Sequence, residues 1–405
     1  MSMKNNIKEI LNSFKRTTDE VFTLEQLKTR LNDPRPMIIK YGVDVTAPQL
    51  HIGHAVNLWM MRKLQEYGHK VIFLIGDFTT RIGDPTGESQ LRPLVKQEEI
   101  EKNAKDFIKQ VSMVLLTDPA VFEVRRNSEW MDSMPTGKFV SLLSMITHSR
   151  LISRNMFQRR IQAGSEIYMH EMIYPIIQGY DSVALKSDIT IIGTDQLFNE
   201  MMGRFYQEKF GQSPQIIITT KITPGIDGKE KQRKSLDNYI GLGHSPRDKF
   251  GRAMRIPDRL LMEYFEVYTD LDEAQVKEIG ENISTNPMEC KYRLAEAIVE
   301  RYHGKKIAQE ERNWFVRTFS QKEVPKDIPT VSIKNSNCTV FELLRQCYDP
   351  FKKSNSELRR LIQQGAVSID GNKKCDPNTD VSIKNQAILK VGKRTWFRVV
   401  SQTKE

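Results

Sequence analysis

"MIIKYGVDVTAPQLHIGHAVNLWMMRKLQEYGHKVIFLIGDF", from Met37 to Phe78, decides the fold. Its opening run, MIIKYGVDV, is apolar and is closed by Gly42, which predicts a short buried strand. HAVNLWMMRKLQEYGHK then carries apolar residues at helical spacing and meets a stop at Gly68. VIFLIGDF is a second buried strand, too short for most helices. Strand, helix and strand in this order form a βαβ unit, which calls for a parallel sheet with ligand at the strand C-termini.

Outward from this unit, ITIIGTDQ and QIIITTKI read as two further strands, and residues 93 to 182 between them and the first unit are mostly helical. That segment suits an insertion, or connecting helices, across the top of the sheet. Residues 1 to 35 set Ile7, Ile10, Leu11 and Phe14 among charged residues and predict one or two amphipathic helices. After KSLDNYIGLGHSPRDKF the strands stop, and PDRLLMEYFEVY, LDEAQVKEIGENI and CKYRLAEAIVERYHG read as helices. SQKEVPKDIPTVSIKNSNCT, polar with two prolines, reads as a linker. The expected division is 1–245, 246–325 and 326–405.

At 405 residues the chain is long enough for two or three domains, and 39% apolar with 28% charged residues describes an ordinary soluble protein. The start, MSMKNNIKEILNSFKRTTDEVF, is too polar for a signal peptide, and no apolar run approaches a membrane span. Cys290, Cys338, Cys347 and Cys375 stand far apart, without metal-ligand spacing, as reduced thiols in a cytoplasmic protein would. The formal charge of +10 admits a polyanionic partner or a solvated basic surface.

Several clusters carry chemistry. His51 and His54 flank Gly53 at the mouth of the helix. No acid or cysteine completes a metal site with them. Capping or packing is open to them, and so is an anion cradle, in which the helix N-terminus offers amides and Gly53 allows close approach. GKEKQRKSLDNY concentrates Lys229, Lys231, Arg233 and Lys234 beside Ser235, as a solvated loop or as a clamp on a phosphate chain. In YPIIQGYD, Tyr174, Gln178 and Asp181 form one polar stripe on an apolar helix, implying a ligand or a buried network, with Pro175 starting or kinking it. GTDQ supplies Gly193, Asp195 and Gln196 at a strand end, where a carboxylate suits a ribose or a helix cap.

HIGH after the first strand and KQRKS after the last resemble the HIGH and KMSKS pair of class I aminoacyl-tRNA synthetases. DVTAPQLHIGH, GDPTGES, YPIIQGYDS and GTDQLFN resemble the bacterial tyrosyl-tRNA synthetases in particular, over essentially the whole chain. The resemblance implies a Rossmann-like parallel-sheet catalytic domain, a helical domain on the anticodon-stem side and a small α+β RNA-binding domain. It implies tyrosine activation by ATP with Mg²⁺ as co-substrate, with no resident metal or cofactor, followed by transfer to tRNA(Tyr). His51, His54, Lys231 and Lys234 are then the catalytic set. Asp44, Gly53, His54, Gly193, Asp195, Lys234 and Ser235 bind ATP; Asp84, Tyr174, Gln178, Asp181 and Gln196 bind L-tyrosine. A homodimer formed through the helical segment is also implied.

From Val331 onward 14 Lys and Arg face 7 Asp and Glu. KKSNSELRRLIQQGAVSIDGNKK reads as a short helix, a strand and a turn at Asp370-Gly371. It resembles a small RNA-binding module, with Lys352, Lys353, Arg359 and Arg360 as RNA contacts.

The chain departs from the family pattern at Val45, where proline is usual, at Glu88, where a basic residue is usual, at KQRKS, and at Lys40, where some members have tyrosine. These departures keep two other readings open: a paralogue that adenylates an amino acid outside translation, and a catalytically weak RNA-binding protein.

Overall fold

The computed structural model describes residues 3–46, 49–83, 96–320, 328–333, 335–348, 354–392 and 395–401. The chain forms two compact units, Met1–Glu311 and Arg312–Glu405.

The first unit is built on six strands: β1 (Thr18–Phe22), β2 (Ile38–Val43), β3 (Lys70–Ile75), β4 (Phe122–Arg126), β5 (Ile189–Gly193) and β6 (Ile216–Thr220). Their order across the sheet is β1-β6-β5-β2-β3-β4. All pairings are parallel except β1 with β6. Every residue of β6 is buried, as are Val71 to Ile75 of β3, which is why these strands read as unbroken apolar runs.

Chain order reverses between β2 and β5, the switch point of a doubly wound sheet. Pairing there is short. β2 and β5 share two registered pairs, Ile39 with Ile189 and Lys40 with Thr190, whereas β2 and β3 share six and β5 and β6 share five. Beyond Lys40 the two strands part toward their C-terminal ends and leave a crevice.

Two edge strands were absent from the sequence expectation. β1 lies within the stretch read as helices, between helices Met3–Phe14 and Leu24–Asn32, and β4 lies within the stretch read as mostly helical. Both have mixed composition and little full burial, since an edge strand needs no continuous apolar run. Pro175 lies inside helix Met169–Leu185 and does not start it; Tyr168 and Glu171 cap that helix, with Glu171 Oε2 accepting the Tyr168 amide at 2.8 Å.

Helices Leu261–Tyr268, Glu273–Asn282 and Pro287–His303 occupy the segment after residue 245. Tyr264 hydroxyl donates to Pro224 O at 2.6 Å, and Tyr268 bonds Thr223, so the first of these helices braces the chain that leaves β6.

In the second unit a five-stranded sheet, ordered β10-β9-β12-β13-β7, and a β8–β11 pair pack with helices Val340–Tyr348 and Asn355–Gln363. The strands are β7 (Thr330–Ile333), β8 (Asn337–Thr339), β9 (Val367–Ile369), β10 (Asn372–Lys374), β11 (Asp380–Ser382), β12 (Gln386–Val391) and β13 (Thr395–Ser401). Leu343, Leu344, Leu358, Ile362, Leu389 and Phe397 are core residues there. The β9–β10 hairpin turns on Asp370 and Gly371, both at positive φ, the two-residue turn that matches strand twist. The stretch expected to be a linker carries β7 and β8.

Helices Met169–Leu185 and Leu197–Lys209 approach closely at glycines. A Cβ on Gly203 would fall 2.5 Å from Ser182 Oγ and 2.6 Å from Gln215 Nε2. Alanine at Gly203 is expected to destabilise the protein by about 1 to 3 kcal/mol despite its better helix propensity. Urea denaturation checks this, and an unchanged midpoint would refute it.

Candidate active site

The crevice collects the C-terminal ends of β2, β3 and β5. His51 caps helix Ile52–Glu66. Its Nδ1 accepts the Gly53 amide at 3.2 Å, while His54 Nδ1 accepts the His51 amide at 3.3 Å. The two rings lie tilted at 42° to each other with centroids 3.8 Å apart. With both Nδ1 atoms acting as acceptors, each ring is neutral and carries its proton on Nε2. Burial pushes His54 down to about 4, opposed by the charge of Asp195 and aided by that of Lys231.

Two expectations about this turn need correction. The first helical amides are already engaged: Ile52 N donates to Ile240 O at 2.9 Å, and His54 N to His51 O at 2.9 Å. The donors this turn presents to an anion are imidazole groups, because the cap and the neighbouring chain satisfy the backbone. Gly53 makes room for the capping ring: a Cβ there would lie 2.9 Å from His51 Cε1 and Nδ1.

Across the crevice, Lys231 Nζ pairs with Asp195 Oδ2 at 2.7 Å. Both are well exposed, so the pair contributes little stability and is open to exchange for a ligand. Gly193 lies beside Asp195, whose Oδ1 would be 2.8 Å from a Cβ on it. Gln232 is buried and donates to Tyr268 hydroxyl at 2.9 Å, and Asn238 accepts the Arg233 amide at 2.7 Å, so the KQRKS turn is anchored immediately after Lys231. Ser235 is exposed within the turn Lys234–Leu236. The side chain of Lys234 lies outside the described set, as do Asp84, Glu88, Lys352 and Lys353.

Deeper in the crevice, Tyr174, Gln178 and Asp181 follow one face of helix Met169–Leu185. Tyr174 hydroxyl donates to Asp44 Oδ2 at 3.0 Å, and Thr79 Oγ1 donates to Asp44 Oδ1 at 2.7 Å. Asp44, assigned to ATP by the resemblance, is therefore joined to Tyr174. Gln178 Nε2 lies 3.0 Å from Glu200 Oε1 and 3.5 Å from Gln196 Oε1. Asp181 is buried and accepts Trp130 Nε1–H at 2.9 Å and Asn127 Nδ2–H at 3.4 Å. Burial pushes its pKa up to about 7, against the lowering effects of Lys40, Trp130 and Asn127. Among the described residues no group of three or more His, Cys, Asp or Glu side chains is placed to hold a metal ion.

With this geometry in place, comparison with known proteins is informative. Residues 32–320 match the class I tRNA synthetases of the W and Y group. A tyrosine–tRNA ligase of Aquifex aeolicus strain VF5 is 40% identical over 97% of this chain and 99% of its own length. That of Oleidesulfovibrio alaskensis is 40% identical over 99% of this chain and all of its own. The chain belongs to the class I tyrosine–tRNA ligases. Solved structures extend the likeness in fold. A C-terminally truncated mitochondrial tyrosyl-tRNA synthetase of Aspergillus nidulans has a TM-score of 0.64 at 21% identity, covering 78% of this chain and 97% of its own. The Archaeoglobus fulgidus tyrosyl-tRNA synthetase, solved with L-tyrosine, has a TM-score of 0.59 at 20% identity, covering 76% and 99%. The family membership makes this chain an ATP-using, tRNA-charging enzyme with a Rossmann-like catalytic sheet.

Sequence reasoning missed Trp130, Asn127 and Glu200. The first two follow β4, which was itself missed. Glu200 stands four residues after Gln196, one helical turn on, and that spacing was available as a signal.

The histidines make stability depend on acid. His54, His69 and His303 are each held down to about 4, and His244 is lowered as well. Between that value and the ordinary 6.5 the unfolded chain binds more protons, so stability is present above about 6.5 and is lost as pH falls toward 4. Asp181 acts in the opposite sense with a single proton. Urea midpoints should fall progressively from pH 7 to pH 4.5, and a level profile would contradict the assignment.

Proposed function

We propose that the crevice binds L-tyrosine and ATP with Mg²⁺, forms tyrosyl-adenylate and pyrophosphate, and passes the tyrosyl group to the 3′-terminal ribose of tRNA(Tyr). The observation that carries this reading is Asp181. It is a buried carboxylate at the far end of the polar stripe, positioned by two N–H donors and suited to a phenolic hydroxyl. Tyr174, Gln178 and Asp84 take the ammonium end, with Gln196 beside the carboxylate.

The substrate carboxylate attacks the α-phosphorus in line, and the bond to pyrophosphate breaks. The ribose hydroxyl of tRNA then attacks the carbonyl and releases AMP. No protein nucleophile is needed; catalysis rests on positioning and on charge stabilisation. The Nε2–H groups of His51 and His54 donate to phosphate oxygens without carrying charge. Lys231 and Lys234 neutralise charge developing on the leaving pyrophosphate, Lys231 exchanging Asp195 for the phosphates as the ribose takes Asp195. Gly53 leaves room for the His51 ring that faces the nucleotide, Gly193 keeps the opposite wall close, and Asp44 and Ser235 complete the site. Mg²⁺ enters with ATP as part of the substrate.

The second unit is the RNA-binding module on this reading, within a division into a catalytic domain to residue 245, a helical domain and a basic terminal domain. Arg359 and Arg360 are exposed on helix Asn355–Gln363, with the Arg359 guanidinium 4.1 Å from the Phe341 ring centroid. Exposed Val140, Ile161, Tyr168 and Met169 in the helical segment between β4 and β5 support a homodimer formed there. Among the described residues no helix is long and apolar enough to cross a membrane. The reading places the enzyme in the cytoplasm.

ATP–pyrophosphate exchange with each amino acid, followed by charging of bacterial tRNA, tests the function. Exchange with tyrosine and formation of tyrosyl-tRNA are expected; exchange without charging would indicate an adenylating enzyme outside translation. Asp181→Asn should cut the preference for tyrosine over phenylalanine by about 10- to 100-fold. In the unsubstituted enzyme the same preference should narrow as pH falls through about 7, where Asp181 takes up its proton. A preference constant from pH 8 to 6 would remove Asp181 from that role.

A further inference from the structure

A lysine in the middle of a parallel strand is a costly residue to bury, and Lys40 on β2 is 1% exposed. Its Nζ lies 2.8 Å from Glu200 Oε2 and 2.8 Å from Ser182 Oγ. Glu200 is buried too, and both of its carboxylate oxygens are engaged. Oε2 takes Lys40 and Gln215 Nε2–H, the latter at 2.7 Å; Oε1 takes Gln178 Nε2–H at 3.0 Å. Gln215 is itself fixed, because its Oε1 accepts Ser187 Oγ–H at 2.6 Å.

The consequence falls on Gln178. Its Nε2 faces two oxygens, those of Glu200 and Gln196, so the amide cannot turn over without setting oxygen against oxygen. Its Oε1 is buried and has no hydrogen-bond partner among the described residues. A buried acceptor held without a donor is prepared for one that arrives with a ligand. The surroundings carry surplus negative charge, one lysine facing the carboxylates of Glu200 and Asp181. A cationic donor suits this site.

We propose that Lys40 and Glu200 are positioning residues of the amino-acid pocket: Glu200, held by Lys40, locks the Gln178 amide with its carbonyl oxygen toward the substrate ammonium. The pair thereby selects ligands that carry a primary ammonium. This rests on the reading that Gln178 belongs to the tyrosine site. The role differs from simple structural pairing because it acts on one end of the ligand only. With Gln at position 200, an NH₂ group would compete with the three donors around the former carboxylate. The Gln178 amide would then reverse and present its own NH₂ to the ammonium.

The test uses the full-length protein and three probes: L-tyrosine, tyramine, which keeps the ammonium, and 3-(4-hydroxyphenyl)propionate, which lacks it. Affinities are measured by calorimetry for the parent, Gln178→Ala, the single variant Glu200→Gln and the charge-free double variant Lys40→Met/Glu200→Gln. The double variant should bind tyrosine and tyramine about 10-fold or more weakly and bind the deamino acid within about twofold of the parent. Adding Gln178→Ala to it should cost nothing further, since the two changes act through one contact. Should the double variant fail to fold, Glu200→Gln alone is read in the same way.

Equal loss of all three ligands would show a merely structural pair and overturn the proposal, as would no loss at all. If Gln178→Ala in the parent leaves tyramine binding unchanged, the assignment of Gln178 to the ammonium fails, and the proposal falls with it. That result is distinct from one in which Gln178→Ala weakens tyramine and the Lys40/Glu200 variants do not, which overturns the proposal alone.

Discussion

The shortness of one strand pairing governs the site. β2 and β5 are held by two registered residue pairs, reinforced by Thr190 Oγ1 donating to Lys40 O at 3.0 Å, and then they part. A longer pairing would close the sheet and bury the ends of both strands against each other. Because the chain reverses its order at this point, the helices that follow β2 and β5 pack on opposite faces of the sheet and leave the gap uncovered. Asp44, His51 and His54 reach the gap from the segment after β2, and Asp195 and Gln196 reach it from the segment after β5.

Within the gap, charge and hydrogen bonding are divided. The two histidines are fixed as neutral donors, since each Nδ1 accepts a backbone amide and burial disfavours the imidazolium of His54. A neutral N–H adds direction without adding to the charge of the resting site. The cations come instead from an exposed turn. Lys231 is parked on Asp195 with both groups well solvated, so releasing it costs little, and the turn itself is held by Gln232 and Asn238. Directional donors sit at a capped helix N-terminus, while charge is carried by the loop.

Much of this was legible in the sequence. β2, β3, β5 and β6 announced themselves because a strand covered on both faces is apolar throughout. β1, β4 and β7 did not: each is an edge strand, so half of its surface answers to solvent, and TDEVF, FEVRR and TVSI look like ordinary loop sequence. That is also why the polar stretch around Pro325 and Pro329 reads as a linker although it runs into β7. The polar stripe of Tyr174, Gln178 and Asp181 was visible from helical periodicity, but its partners were not. Trp130 and Asn127 meet Asp181 across about 50 residues of chain, a pairing that only the tertiary fold creates. Lys40 was noticed as a departure from the family, and its demand for a buried counter-charge was the unread part of that signal.

On the proposed function, charge in this protein is sorted by the substrate it meets. Most of the net positive charge lies in the last 75 residues, where exposed arginines on a short helix suit an RNA backbone and would hold it in a salt-dependent way. The proposed amino-acid pocket has the opposite balance: Glu200 and Asp181 outnumber Lys40, and the surplus matches an incoming ammonium. The ATP site lies between, neutral at the histidines and positive only where the loop supplies lysine. Had the pocket shared the positive character of the chain as a whole, a substrate ammonium would be repelled at the point where it must be held. Lys40 is the apparent exception, a cation within the acidic pocket, and its burial against Glu200 explains it: the charge is spent on orienting a neutral amide and does not face the ligand.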